Sequence, residues 1–264
     1  MTKSMDRKFD EFFNQINQQI EPIDYLIEHS KQYGNVDGLK EHIFCPECQL
    51  AKLTFVHTGK GFHLRTHLNT KHLEGCYYDF DHIDTKSATE FFKSLNKEQV
   101  QSKLASMMRY LLSNKNNISV SNKADALQNN PLLIEQKEKT NTQIKTRKSL
   151  RRQKLTGYID ESIAGDLYIF YGDVKFSVEL YTSKNNFQYY KLIVKTKNKQ
   201  GEWRYRTSLY RGKTKDDIDV NAIYKIVFIG VANFKENSEK TGKYMNIELI
   251  DYDSVLFQSV DNIE

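Results

Sequence analysis

The 264-residue chain contains only three prolines, twelve glycines, three cysteines and one tryptophan. It has no apolar run near the roughly 20 residues that a membrane-spanning helix needs, and its first residues lack the apolar core of a secretion signal. Three cysteines are too few for a disulfide scaffold, so a close cysteine pair here indicates metal or redox chemistry. We therefore expect a cytoplasmic protein without a membrane partner.

Aromatic residues are 12% of the chain although the mean hydropathy is −0.67, a combination that indicates folded domains. The net charge is +5, which is compatible with a nucleic-acid partner. Lysines and arginines number 9 against 12 acidic residues over 1–82, 15 against 6 over 83–154, and 15 against 16 over 155–264. The basic excess therefore belongs to the middle of the chain.

Apolar residues at helical spacing predict helices over 6–31 and 87–113. From about residue 155, apolar residues recur at every second position, a spacing that is typical of strands. We therefore expect an α+β chain with a helical domain over 1–113, a flexible polar and basic linker over 114–154, and a small antiparallel β-barrel or sandwich over 155–264.

The last of these regions resembles an OB fold, a five-stranded barrel, in length and strand count. The expected strands are Asp166–Tyr171, Lys175–Tyr181, Phe187–Lys195, Trp203–Tyr210, Tyr224–Val231 and Tyr244–Ile250. The resemblance implies binding of single-stranded nucleic acid through aromatic rings beside basic side chains. The candidate contacts are Tyr189, Lys191, Trp203, Arg204 and Arg206. On the fourth expected strand, alternation predicts arginines on one face and aromatic residues on the other.

A possible metal site begins with Cys45 and Cys48, a C-x2-C pair that can present two thiolates to one ion. His67 and His72 follow with four residues between them, and zinc accepts two thiolates and two imidazoles in tetrahedral geometry. These four residues are the predicted ligands of one structural zinc ion. Neither a thioredoxin-like context nor the motif of a zinc deaminase accompanies the cysteine pair.

Residues 44–76 resemble a Cys2His2 zinc finger, with Leu64 three residues before the first histidine. Eighteen residues separate the second cysteine from that histidine, against about twelve in the usual finger, so a longer hairpin is expected. In the alternatives, His63 replaces one histidine or Cys76 replaces His72. The resemblance implies a ββα arrangement whose helix begins near Gly61–His63 and faces DNA. Its candidate contacts are Lys60, His63, Arg65 and Lys71.

The segment 145–154, KTRKSLRRQK, has six positive charges and no acidic residue. Such a run attracts phosphates largely independently of sequence, with an affinity that falls as salt rises. Its candidate contacts are Lys145, Arg147, Lys148, Arg151, Arg152 and Lys154. We expect the region 83–154 to provide much of any electrostatic attraction to nucleic acid.

No P-loop, GxGxxG, GxSxG or HExxH motif is found, so no catalytic residue is predicted. The favoured hypothesis is a non-enzymatic, zinc-containing protein that binds nucleic acid, with DNA favoured over RNA and either duplex or single strands as target. A bacterial, phage or other mobile-element origin suits this composition. One alternative is an adaptor with a purely structural zinc ion, whose helices or β domain bind a protein. The other is a metal-dependent nuclease.

Overall fold

A computed structural model describes residues 8–59, 61–112, 127, 129–137, 145–155, 159–198, 200–236 and 243–260. The chain divides into two compact units, and each combines two separate stretches of sequence. The first unit draws its described residues from Met1–His82 and Asn114–Ser149. The second draws them from Ile83–Ser113 and Leu150–Glu264. The segment 83–113 therefore belongs with the C-terminal strands.

The first unit consists mainly of short antiparallel strand pairs. Its elements are β1 (Glu11–Asn14), β2 (Gln19–Pro22), α1 (Ile23–Tyr33), β3 (Ile43–Phe44), β4 (Leu53–Thr58), β5 (Gly61–Thr66), β6 (Leu133–Lys137) and β7 (Lys145–Ser149). Strand β1 pairs with β2 and β3, β4 pairs with β5, and β6 pairs with β7. Part of the expected linker thus forms the β6–β7 pair.

The prediction of a helical N-terminal domain is wrong, because residues 11–22 form a hairpin. The side-chain oxygen of Asn14 accepts a hydrogen bond from the N–H of Ile16, and that of Asn17 accepts one from the N–H of Gln19. These asparagines close a turn between β1 and β2, in competition with helical backbone pairing. The helix α1 begins only after Pro22.

The helix expected from the zinc-finger resemblance is also not formed, because Gly61–Thr66 is strand β5 and pairs with β4 along its whole length. The ring of Phe62 stacks on His57 with a centroid distance of 4.2 Å and on Phe55 at 5.4 Å. The β4–β5 hairpin therefore occupies the long stretch between Cys48 and His67, and this hairpin takes the place of the expected ββα arrangement.

The second unit contains two helices and a seven-stranded sheet. Its elements are α2 (Thr85–Lys93), α3 (Lys97–Leu112), β8 (Arg152–Lys154), β9 (Leu167–Thr182), β10 (Gln188–Lys197), β11 (Trp203–Gly212), β12 (Tyr224–Glu236), β13 (Lys243–Leu249) and β14 (Val255–Ser259). The sheet order is β11-β10-β9-β12-β13, with β14 paired to β12 and β8 paired in parallel to β9.

The expected α+β class with an OB-like barrel is therefore wrong: the chain is mostly β, and its large sheet is a curled sheet of seven strands. The expected strands lie close to observed ones, but the first two form the single 16-residue strand β9. Strands β8 and β14 were not expected. Their short sequences carry too few alternating apolar residues to stand out.

Both faces of β9 and β12 are buried: Ile169 and Ile229 are fully buried on one face, and an extended core cluster of the second unit lies on the other. Phe170 and Phe228 stack there with a centroid distance of 5.1 Å. The apolar stripe of α3 packs as core, with Leu104 and Met107 fully buried. The side-chain amide of Gln101 on the same helix donates to the carbonyl of Val255, which fixes α3 against β14.

Gly230, in the middle of β12, lies where the neighbouring strand β13 leaves no room for a side chain. A Cβ atom at this position would lie 2.7 Å from the carbonyl oxygen of Glu248 and 2.7 Å from Cγ2 of Ile247. We expect Gly230→Ala to lower the free energy of unfolding by about 1–3 kcal/mol, because backbone must shift to admit the methyl group. Gly38→Ala is the control, since its Cβ meets no atom within 4 Å. Urea denaturation that ranks the two variants equally would contradict this assignment.

Candidate metal centre and aromatic face

Cys45, Cys48, His72 and Cys76 bring their ligand atoms within 4.8 Å of one another in the first unit. The Sγ atoms of Cys45 and Cys76 are 3.7 Å apart. The Nδ1 atom of His72 lies 3.5 Å from Sγ of Cys48 and 3.4 Å from Sγ of Cys76. All three cysteines are buried and free of disulfides. The four side chains therefore form one compact donor set.

The spacing of these donors fits tetrahedral zinc. With zinc–sulfur bonds of 2.3 Å, two thiolates of a tetrahedral site lie about 3.8 Å apart, and a thiolate and an imidazole nitrogen lie about 3.6 Å apart. The three observed distances agree with these edges to within about 0.2 Å. Soft thiolates with one imidazole are also the donor chemistry that zinc prefers. The cluster could therefore hold one zinc ion.

The first half of the cluster is a tight turn that follows β3. The N–H of Cys45 donates to the carbonyl of Ala51, and the N–H of Gln49 donates to the carbonyl of Cys45. Gln49 has a φ of 59°, in the left-handed region that few residues other than glycine adopt readily. This turn directs the Cys45 and Cys48 side chains to the same point.

The second half arrives after the β4–β5 hairpin. The outer nitrogen of His72, Nε2, lies 3.0 Å from the Thr66 hydroxyl, which can accept its proton and leave Nδ1 to face the thiols. The buried carboxylate of Glu47 accepts a hydrogen bond from the N–H of Tyr77. Because Tyr77 follows Cys76 directly, this contact fixes Cys76 against the cysteine turn.

The three thiols differ in acidity. Burial raises the pKa of Cys45, and hydrogen bonds with the sulfurs of Cys45 and Cys48 raise the pKa of Cys76. Hydrogen bonds from the side chains of Cys45 and Cys76 lower the pKa of Cys48. One thiolate is thus stabilised by two protonated thiols, and a bound cation is needed to hold all three as thiolates.

The structure brings together three of the four predicted ligands, Cys45, Cys48 and His72, and adds Cys76. His67 lies outside the cluster, where its Nδ1 accepts a hydrogen bond from the N–H of Asn69. The sequence alone offers Cys76 only as a substitute for His72. The candidate ligand pattern is thus C-x2-C followed by H-x3-C. The third cysteine was the signal in the sequence, but the zinc-finger spacing favoured the histidine pair.

Zinc affinity is expected to rise with pH, because metal binding must displace protons from thiols. The raised pKa values of Cys45 and Cys76 imply that at least these two thiols lose a proton when zinc binds near neutral pH. The apparent affinity should then increase by at least about 100-fold per pH unit between about pH 6 and 8. Competition with a chromophoric chelator would measure it, and a pH-independent affinity would refute this protonation scheme.

The predicted nucleic-acid contacts of the first unit differ in exposure. Lys60 lies outside the described residues, His63 is half-buried in β5, and Arg65 and Lys71 are exposed. In the basic run, β7 contains Lys145, Arg147 and Lys148. Arg147 is exposed, whereas Lys148 lies 3.4 Å from the carboxylate of Asp81.

The rest of the basic run lies in the second unit. Arg151 is mostly buried, with its Nε 4.0 Å from the carboxylate of Asp166. Arg152 and Lys154 are the first and last residues of β8, with Arg152 half-buried and Lys154 exposed. The run is therefore shared between two elements, and neither element forms the single basic arm that the sequence predicts.

Strands β9, β10 and β11 present aromatic and basic side chains on the face opposite the core. We call this the outer face. It consists of Lys175, Ser177, Glu179, Tyr181, Tyr189, Lys191, Ile193, Lys195, Lys197, Trp203, Tyr205, Ser208 and Tyr210. Phe176, Leu192 and Leu209 alternate with them and are buried in the core. Four lysines and one glutamate give the outer face a net charge of +3.

Two shifts in the pairing of β10 with β11 define this face. The partner of Val194 is Thr207, but the partner of Lys195 is Tyr205, so Arg206 is passed over. Arg211 is passed over in the same way. The expected alternation is therefore interrupted, and Tyr205 shares the outer face with the lysines of the neighbouring strand.

The predicted arginine contacts lie elsewhere. Arg206 donates from Nε to the hydroxyl of Thr196 at 3.3 Å, and burial lowers its pKa. Arg204 binds the carboxylate of Glu202 at 2.8 Å. In contrast, the predicted contacts Tyr189, Lys191 and Trp203 belong to the outer face.

Within the described residues, no helix has the length and apolarity required to cross a bilayer. Comparison with models of known protein families gives no match, and no curated protein sequence matches the chain at a significant level.

Proposed function

We propose that this protein binds nucleic acid through the outer face of its second unit and contains one structural zinc ion in its first. The observation that carries the proposal is the lysine-and-tyrosine composition of the outer face. Aromatic rings stack on bases, and lysine ammonium groups donate hydrogen bonds to phosphates, whatever the base sequence. DNA is the favoured target.

The lysines of this face lie against aromatic rings. The ammonium group of Lys191 is 4.3 Å from the ring centroid of Tyr181, and that of Lys197 is 5.4 Å from the ring of Trp203. Such contacts contribute only about 0.5–1 kcal/mol at exposed sites. A phosphate can therefore draw each ammonium group away at small cost and leave the ring open to a base.

A structural role for the zinc ion follows from its donors. Four protein side chains complete a tetrahedral shell, whereas a catalytic zinc ion keeps a position open for water or substrate. In the part of the chain that the structure describes, the one buried carboxylate beside the cluster is that of Glu47, and it accepts a hydrogen bond from a backbone N–H. This arrangement supports a non-enzymatic protein.

The test is binding of fluorescent DNA at a series of salt concentrations. The double variant Lys191→Gln/Lys197→Gln should bind more weakly, and its salt slope should be smaller by about 1.4, at about 0.7 per lost phosphate contact on a single strand. The control is Lys235→Gln, an exposed lysine on β12 that is not on the outer face. No binding to DNA or RNA at low salt would overturn the proposal and favour the adaptor.

Removing the segment 83–154 cannot serve as a clean test of the basic run, because α2, α3 and three strands lie within it. Substitution of the exposed residues Arg147 and Lys154 by glutamine keeps these elements. A loss of salt slope in that variant would assign part of the electrostatic attraction to the run.

A further inference from the structure

The aromatic side chains of the outer face form two groups at opposite ends of the strands. In the first, which we call the tyrosine group, three rings of the outer face follow one another across the sheet, and Tyr252, from the turn between β13 and β14, continues the row. Centroid distances are 5.8 Å from Tyr181 to Tyr189, 5.1 Å from Tyr189 to Tyr210, and 5.8 Å from Tyr210 to Tyr252. Tyr210 and Tyr252 are 40% and 56% exposed, so this group opens to solvent at one side.

The second group, which we call the tryptophan group, consists of Trp203 and Tyr205. Lys175 and Lys197 place their ammonium groups 5.8 Å and 5.4 Å from the centroid of the Trp203 ring. Tyr205 is 48% exposed and is paired with Lys195 across the strands. This end of the face therefore combines two rings with three lysines.

The two groups are separated along the strand direction. Tyr210 is paired with Lys191, and Trp203 with Lys197, six residues farther along β10. At about 3.3 Å per residue this separation is about 20 Å. The side chains between the two groups on β10 and β9 include Ile193 and Ser177, neither of which offers a ring.

We infer that the outer face binds a single nucleic-acid strand laid along β10, with bases stacked on the tyrosine group at one end and on the tryptophan group at the other. This inference rests on the proposed function and adds the form of the ligand. In a duplex the base faces are covered by their neighbours, so only an unpaired strand can offer them to these rings.

The separation also determines how long the strand must be. A stacked strand advances about 3.4 Å per nucleotide, so about six nucleotides span 20 Å, and an extended strand needs fewer. Shorter strands reach only one group. Longer strands gain from the second group without a new bimolecular step, because the first group holds the strand nearby.

The test uses the 264-residue chain, supplied with zinc, and oligothymidylates of two to twelve nucleotides. Affinity should rise steeply up to about six nucleotides and only slowly beyond. In a hexamer, abasic residues at the two terminal positions should weaken binding by at least about tenfold, as expected for lost base stacking. Abasic residues at the two central positions should change it less than threefold. Equal losses from central and terminal positions would overturn the two-group arrangement.

Protein variants provide the second arm. Trp203→Leu and Tyr210→Leu should each weaken hexamer binding by at least about tenfold, whereas Tyr33→Leu, an exposed tyrosine of the first unit, should leave it unchanged. Circular dichroism and thermal unfolding show whether each variant is folded. A duplex that binds as tightly as the single strand would overturn this inference and leave the proposed function standing. Failure of every nucleic acid to bind would overturn the proposed function itself.

Discussion

Cys76→Ser is expected to abolish stoichiometric zinc binding and unfold the first unit, whereas His67→Ala should retain both zinc and fold. The two substitutions separate the ligand set of the structure from that expected of a zinc finger. In the structure Cys76 supplies a buried sulfur 3.4 Å from His72, and His67 lies outside the donor set. A serine hydroxyl at 76 would leave two thiolates and one imidazole, an incomplete shell for structural zinc.

The effect should be large because the four donor side chains connect separate segments of the first unit, whose sheets are small. The strands of this unit are short, and its sheets have two or three strands. Sheets of this size are only marginally stable without further support. Structural zinc contributes about 10–16 kcal/mol in zinc-finger peptides, and a chelator denatures such domains. We expect EDTA to reproduce the effect of Cys76→Ser.

Zinc content by mass spectrometry under native conditions and hydrogen exchange over residues 8–82 would measure this result. Protection of β9 and β12 should persist in the zinc-free protein, because their core in the second unit contains no zinc ligand. A Cys76→Ser protein that retains one zinc ion per chain would refute the ligand assignment. So would a His67→Ala protein that loses it.

Asp216→Ala is expected to lower the free energy of unfolding of the second unit by about 3–5 kcal/mol. The Asp216 carboxylate accepts two hydrogen bonds from Arg211, at 2.9 and 3.0 Å, and both side chains are almost fully covered. Removing the carboxylate leaves the guanidinium charge buried without its partner, which costs far more than loss of an exposed ion pair.

The matched control is Asp217→Ala, because the neighbouring Asp217 is exposed and should contribute less than about 0.5 kcal/mol. Arg211 also donates to the carbonyl of Tyr252 at 2.7 Å. Loss of Asp216 should therefore loosen Tyr252 and weaken single-strand binding as well. Denaturation midpoints that do not distinguish Asp216→Ala from Asp217→Ala would contradict the buried ion pair.

Alternation of apolar and polar residues located most strands of the second unit. In β11, for example, Thr207 and Leu209 are fully buried while Ser208 and Tyr210 are not. The same rule could not show that the segment 83–113 joins these strands. An amphipathic helix such as α3 requires an apolar partner, but its pattern does not specify which one.

The helix predicted from apolar spacing is wrong where side-chain hydrogen bonds compete with the hydrogen bonds of a helical backbone. Phe9, Phe12 and Phe13 have helical spacing, yet the Asn14 side chain caps a turn directly after them. At the metal site, Cys45 and Cys48 were identifiable from their spacing alone. The choice of Cys76 over His67 depends on how the intervening hairpin returns the chain, which is a tertiary property.

The bulge at Arg206 affects how insertions and deletions act in β11. Because the pairing of β10 passes over this residue, a chain one residue shorter here would keep Trp203 and Tyr205 beside the same lysines. Deletion of Ser208, which lies in the regularly paired part of β11, would instead move the side chains on one side of the deletion to the opposite face of the sheet. A relative of this protein that preserves the outer face can thus differ in length at Arg206, and sequence alignments should place the gap there.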